Sequence, residues 1–383
     1  MKNLLLCLLI ALCCSEIPSD SREMSISQKV SDSREISSDS QEMSSSSRKI
    51  SSDSRVISDS RMTVSFNVDR IWDGARHCAF PSIEYFRGRY YVSFREGEGH
   101  VFDKEGKAAG KVRVLSSDDG KSWESVALLS KEGFDLRDPK LSVTPDGRLM
   151  LVIGGSVYEG KSLVQRIPQV SFSVDGRNFS DPEPAEFSSD IPFGMEWLWR
   201  LTWHDGIGYA VIYGEKFALV KTMDGKYFET VTELDVDGFP NETTVRFTKD
   251  GRMAMMIRRE QNDRKGWWGV SDAPYTEWNF VPMDFQLGGP EFLVLDAGEA
   301  CSGTELVIAG SRSYFIGKKP KAVLLKGGLD GIFEEMCVLP SGGDCSYPGF
   351  KVVGDELWVV YYSSHESART SIYLAKVPLS LFF

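Results

Sequence analysis

The stretch Pro240 to Arg258, PNETTVRFTKDGRMAMMIR, reads as a β-hairpin. Thr243 to Thr248 alternates as a strand does, Lys249-Asp250-Gly251 is a turn signal, and Met253 to Ile257 is an apolar return strand. A hairpin brings its two ends together, so Glu242 at the entrance and Arg258 at the exit are predicted to sit side by side at one edge of a sheet.

The arrangement recurs. From Thr63 onward the chain divides into six units of roughly 50 residues, the period of propeller blades. Each opens with a hairpin whose turn carries Gly: FPSIEYFRGRYYVSFR, DPKLSVTPDGRLMLVIGG, LWRLTWHDGIGYAVIYG, ETTVRFTKDGRMAMMIR, EFLVLDAGEACSGTELVIAGSR and YPGFKVVGDELWVVYYSSH. Several are followed by a second turn with Asp-Gly and a later aromatic. The fullest is Ser116 to Trp123, read as an S-x-D-x-G-x-S-W Asp-box, with shorter copies at Val174 to Phe179 and Met223 to Phe228. In that reading Asp118 bonds turn amides, Gly120 takes positive φ and Trp123 packs between sheets, so the box is structural. The fold expected is all-β, a six-bladed β-propeller over residues 63–383. The strand Met62 to Ile71 is expected to pair with TSIYLAKV of the last blade, which closes the ring and removes the free sheet edges.

Composition supports this and excludes some partners. The chain has 383 residues and 42% hydrophobic content, enough for a large core. A net charge of -11 lacks the basic footprint that nucleic acid requires. Met1-Lys2 and the apolar run Leu4 to Cys14 have the pattern of an export signal, residues 1–14, too short to span a bilayer. Cys13-Cys14-Ser15 offers two outcomes, simple cleavage or lipidation at Cys13 or Cys14, and both imply a periplasmic or cell-surface protein. Residues 15–62 form a disordered Ser-rich tether in which Ser-Asp-Ser-Arg repeats four times; one apolar residue per heptad cannot bury a coiled-coil seam. Cys78, Cys301, Cys337 and Cys345 show no CxxC spacing and read as buried thiols rather than a zinc site. No cofactor or metal is called for, and a closed ring is expected to be monomeric.

In a propeller the inner strands of all blades start at one mouth, and hairpin geometry returns the second strands there. The residues so gathered are His77 to Pro81, Arg95, Arg137, Asp138, Trp199, Arg200, Glu242, Arg258, Glu291, Arg312, Tyr347, His365 and Glu366. Arginines that grip a carboxylate and tryptophans that stack on a sugar face suit an anionic, hydroxyl-rich glycan. His204, in the turn Trp203 to Gly206, is assigned no role.

Asp-box turns within a six-unit ring, with Glu242 and Arg258 sixteen residues apart and Cys345-Ser346-Tyr347 entering the last blade, resemble the sialidase superfamily over residues 63–380. The resemblance implies a retaining exo-glycosidase with Tyr347 as nucleophile, Glu242 as its base and Arg258 in a carboxylate-binding arginine triad. Arg312, Lys319 and Lys321 compete for the third triad position. The first is replaced by Ala79-Phe80-Pro81, leaving Arg95, Arg76 or His77 to stand in. Asp103, Asp138 and His100 compete as acid/base. Sialic acid carries a carboxylate on its anomeric carbon, so a neutral tyrosine nucleophile avoids a repulsion that a carboxylate would meet. Two other readings stand beside hydrolysis of a terminal acidic sugar. One is action on uronic acid-terminated glycans, by hydrolysis or by lyase chemistry on a histidine base; the other is a glycan-binding propeller without catalysis.

Overall fold

A computed structural model describes residues 55–56, 65–296, 305–313 and 319–383. The expected export signal, most of the Ser-rich segment and Cys301 lie outside the described residues.

Six sheets form six blades, antiparallel throughout except where Glu186–Phe187 pairs parallel with Tyr227–Glu233 at the edge of blade three. Their inner strands are His77–Phe86, Asp135–Val143, a broken strand at Trp197–Leu198 and Thr202–His204, Pro240–Phe247, Glu291–Asp296 and Cys345–Val353. The expected ring closure is present: Ser65–Trp72 pairs antiparallel with Ser371–Pro378 as the fourth strand of blade six, with the short strand Arg55–Val56 paired outside it. This ties the two ends of the propeller into one sheet, so the ring cannot open without unzipping that strand pair.

The strand sequences explain why the blades stack. In blade four, Met253, Met255 and Ile257 face blade three, whereas Ala254 and Met256 face blade five. A strand buried on both faces reads as the continuous apolar run MAMMI instead of an alternating one. Six apolar clusters fill the six junctions between neighbouring blades.

The box turns pin the outer edges, one residue out of the expected register. Asp119, not Asp118, accepts hydrogen bonds from the Lys121 and Ser122 amides at 2.8 and 3.0 Å, and from Ser117 Oγ at 3.1 Å. These amides hold the Asp119 carboxyl down at about 2. Asp118 is exposed and ion-paired with Arg89 at 2.6 Å. Asp175 and Asp224 repeat the Asp119 pattern with Ser173 and Thr222. Gly120 has φ 64° and lies flat against Trp358 of blade six, where any Cβ would overlap the indole. Gly176 meets Tyr91 of blade one, and Gly225 meets Met150 of blade two, in the same way. Each box glycine thus seats its turn on the preceding blade. The thiols of Cys78, Cys337 and Cys345 are free and buried; burial pushes Cys78 up to about 12, which makes it inert.

Candidate active site

Three residue-Pro steps build the mouth. Phe80-Pro81, Asp138-Pro139 and Tyr347-Pro348 open the inner strands of blades one, two and six, and the strand register slips at each of them. The residue before proline has positive φ in every case: 62° at Phe80, 45° at Asp138 and 53° at Tyr347. Such bulges re-aim one side chain out of the strand's alternation, and strain of this kind persists where the surroundings impose it. Phe80, Asp138 and Tyr347 are therefore equivalent positions on three consecutive blades. The Phe80 and Tyr347 rings meet edge-on at 4.9 Å.

Tyr347 donates its hydroxyl hydrogen to Glu242 Oε1 at 2.5 Å. Glu242 Oε2 is held by Arg258 Nη1 at 2.6 Å and accepts the Gly289 amide at 2.9 Å. The same Arg258 Nη1 donates to Tyr347 Oη at 3.1 Å, and Arg258 Nη2 pairs with Glu260. The hairpin expectation holds here, because Pro240 to Thr243 is bulged and Glu242 lies across from Arg258. Burial alone would raise the Glu242 carboxyl, but Arg258, Tyr347 and the Gly289 amide together keep it below the ordinary range. Burial and the Glu242 charge push the Tyr347 phenol well above its ordinary value. The pair is a neutral phenol on an ionised carboxylate.

Gly289 makes this geometry possible. Its φ is 61°, and a Cβ there would overlap the Tyr347 ring. Ser346 Oγ donates to Gly288 O at 2.6 Å, which fixes the strand just before the tyrosine.

Other expected residues are put to different uses. Arg95 is 1% exposed, and its guanidinium donates to Asp135 at 2.8 and 3.0 Å, to Gly99 O at 2.8 Å and to Val101 O at 3.3 Å. It braces the loop that carries His100 rather than facing a ligand. Arg137 helps, bonding His100 O at 2.9 Å and Asp135 Oδ2 at 3.2 Å. Arg200 is buried against Glu291 at 2.5 Å and Pro348 O at 2.7 Å, and Arg246 bonds the other Glu291 oxygen. Arg200 and Glu291 thus form an axial ion cluster beneath the tyrosine. Trp199 is 1% exposed, so it is a floor beneath Tyr347, not a stacking platform. Asp103 accepts the Lys107 amide at 2.7 Å within its own turn. His365 lies against the Tyr373 ring at 4.9 Å and Ser363 at 2.9 Å, on the rim of blade six.

Of the competing cations, Arg312 is near enough for its charge to act on both Tyr347 and Tyr362. Lys319 is exposed, and Lys321 is engaged with Ser341 O. Arg76 is exposed as well. His77 and His100 converge on Asp344, at 2.9 and 3.0 Å. Burial raises the Asp138 carboxyl, which lies beside Glu242 and Lys140, and its buried Oδ1 has no hydrogen-bond partner among the described residues.

Lys140, Asp135 and Asp344 escaped the sequence reading. Lys140 is 3% exposed, donates to Phe80 O at 3.1 Å, and lies 5.2 Å over the Trp199 ring and 5.8 Å over that of Tyr347. Burial, with Arg200 beside it, pulls its ammonium down to about 7.

No family model matches the sequence, and no curated protein does. Solved structures match over most of the chain. A protein of unknown function from Dyadobacter fermentans DSM 18053 aligns with a TM-score of 0.67 and 17% identity, covering 81% of this chain and 97% of that one. NanB sialidase from Streptococcus pneumoniae aligns with a TM-score of 0.62 and 12% identity, covering 81% and 69%. The propeller is sialidase-like. Trypanosoma rangeli sialidase aligns with a TM-score of 0.60 and 12% identity over 86% of this chain, which spans 58% of that longer one. At such identities the likeness establishes the sialidase-like fold, and the chemistry rests on the residues described above.

Proposed function

We propose that this chain is an exported exo-glycosidase that removes a terminal acidic sugar from glycans, sialic acid being the first candidate. The observation that carries this reading is the Tyr347–Glu242–Arg258 arrangement, in which a buried phenol is hydrogen-bonded to an ionised carboxylate that an arginine holds in place.

Tyr347 Oη attacks the anomeric carbon while its proton passes to Glu242 Oε1, which is already its hydrogen-bond acceptor. The glycosidic bond breaks, and the leaving oxygen takes a proton from Asp138, whose carboxyl burial shifts upward. Water, deprotonated by Asp138, then cleaves the glycosyl–tyrosine bond, and Glu242 returns its proton to the phenol. Arg258 and Arg312 hold the sugar carboxylate. Lys140 supplies a further cation near the place where the first triad arginine would stand, now occupied by Ala79. The residue 1–14 signal pattern supports export.

The test is a hydrolysis screen against aryl α-sialosides, aryl uronides and neutral aryl glycosides, with Tyr347→Phe as control. Turnover of an acidic glycoside that is lost in Tyr347→Phe supports the reading. An unsaturated product absorbing in the ultraviolet, formed equally by the variant, would replace it with lyase chemistry, and saturable binding without product would leave a lectin-like propeller.

A further inference from the structure

The chain has only four histidines, and two of them point at one carboxylate oxygen. His77 Nε2 lies 2.9 Å and His100 Nδ1 3.0 Å from Asp344 Oδ2. The three residues come from separate segments: the start of the blade-one inner strand, the loop that follows its hairpin, and the approach to the blade-six inner strand. One donor atom from each lies within 4.8 Å of the other two. We infer that His77, His100 and Asp344 form a binding site for one divalent transition cation of the zinc class.

The surroundings are built to hold these donors still. The second Asp344 oxygen accepts the Tyr362 hydroxyl at 2.8 Å, and the Asp344 amide donates to Ser364 Oγ at 3.0 Å. Metal-ligating carboxylates are oriented by such outer hydrogen bonds. The His100 loop is fastened from both sides, by Arg95 at Gly99 and Val101 and by Arg137 at His100 itself. Two buried arginines spent on one loop's backbone fix the position of the histidine that the loop carries.

Donor chemistry selects the ion. Two imidazole nitrogens and one carboxylate oxygen suit zinc and its neighbours, whereas calcium and magnesium call for oxygen shells. Bonds of about 2.0–2.1 Å in tetrahedral geometry separate ligand atoms by roughly 3.3 Å. Each histidine therefore needs to part from the Asp344 oxygen by only a few tenths of an ångström. Side-chain exposures of 38% at His100 and 29% at Asp344 leave the ion open to the mouth. Three protein ligands with an open position are the pattern of a zinc that keeps a water or takes up a ligand, not of a closed structural site. Phe80 separates the ion from the tyrosine, with its ring 5.4 Å from that of His100 and 4.9 Å from that of Tyr347. The inference does not depend on the glycosidase reading.

The test is calorimetric titration of the full chain, stripped with a chelator, with Zn²⁺ alone. One ion per chain is expected. Binding is lost in His100→Gln and Asp344→Asn, weakens about 10–100-fold in Tyr362→Phe, and is unchanged in His204→Gln and His365→Gln. His100 is the partly exposed ligand, so a His100→Gln chain with the wild-type melting temperature separates loss of the ion from loss of the fold. Absence of saturable uptake by the wild type, or uptake that survives in His100→Gln and Asp344→Asn, would overturn the assignment.

Discussion

Tyr347 and Glu242, 105 residues apart, are joined by a 2.5 Å hydrogen bond inside a ring of six blades. The bond links the bulge of blade six to the bulge of blade four, and Arg258 touches both partners. Removing either partner is expected to impair chemistry severely while sparing the fold. Tyr347→Phe keeps the ring that packs on Phe80 and should lose turnover entirely. Glu242→Gln keeps the shape but not the base, and is expected to lower kcat by about 10²–10⁴-fold. Steady-state kinetics on the best acidic glycoside checks both.

Gly289→Ala places a methyl group where the Tyr347 ring lies and forces positive φ on a residue with a Cβ. Overpacking of this kind costs about 1–3 kcal/mol. The variant should melt lower and turn over poorly. Gly133→Ala, at another positive-φ turn with open space around it, serves as the control that loses stability without losing activity.

Lys140 gives a pH signature. Its ammonium titrates near 7 in the folded chain against about 10.4 unfolded. Between those values the unfolded chain binds a proton that the folded chain does not, so this residue makes stability rise with pH across that window. Below pH 7 both states are charged and its contribution is flat. Urea unfolding at several pH values should show this slope in the wild type and its loss in Lys140→Met. If the charge helps to hold the substrate anion, KM should also rise as pH passes 7 in the wild type alone.

Asp135 is fully buried between Arg95 and Arg137. Asp135→Asn removes the carboxylate charge that buried Arg95 and Arg137 share, and breaking a buried pair costs about 3–5 kcal/mol. Thermal unfolding should show a large loss, where Asp103→Asn, altering a partly exposed loop turn, should show little.

The ring was legible in the sequence because blade junctions are filled from strands buried on both faces, and runs such as Met253 to Ile257 carry that signature. The Glu242–Arg258 contact followed from hairpin closure. The Asp-box register did not, since Ser116-Ser117-Asp118-Asp119 offers two adjacent serines and two adjacent aspartates, and only the hydrogen bonds to Lys121 and Ser122 choose between them. Arg95 and Trp199 reach the expected end of the fold but are buried there, a distinction that strand ends alone do not make. Asp344 and Lys140 act through partners 267 and 60 residues away in His77 and Phe80, and no local motif marks such contacts.

The most direct measurement is intact-mass and peptide mapping of the chain after incubation with a 2,3-difluoro derivative of the acidic sugar proposed as its substrate. A mass increase of one glycosyl unit located on Tyr347, and absent in Tyr347→Phe, is the predicted result. A label on another residue, or turnover without any trapped species, would contradict the assignment of Tyr347 as the nucleophile.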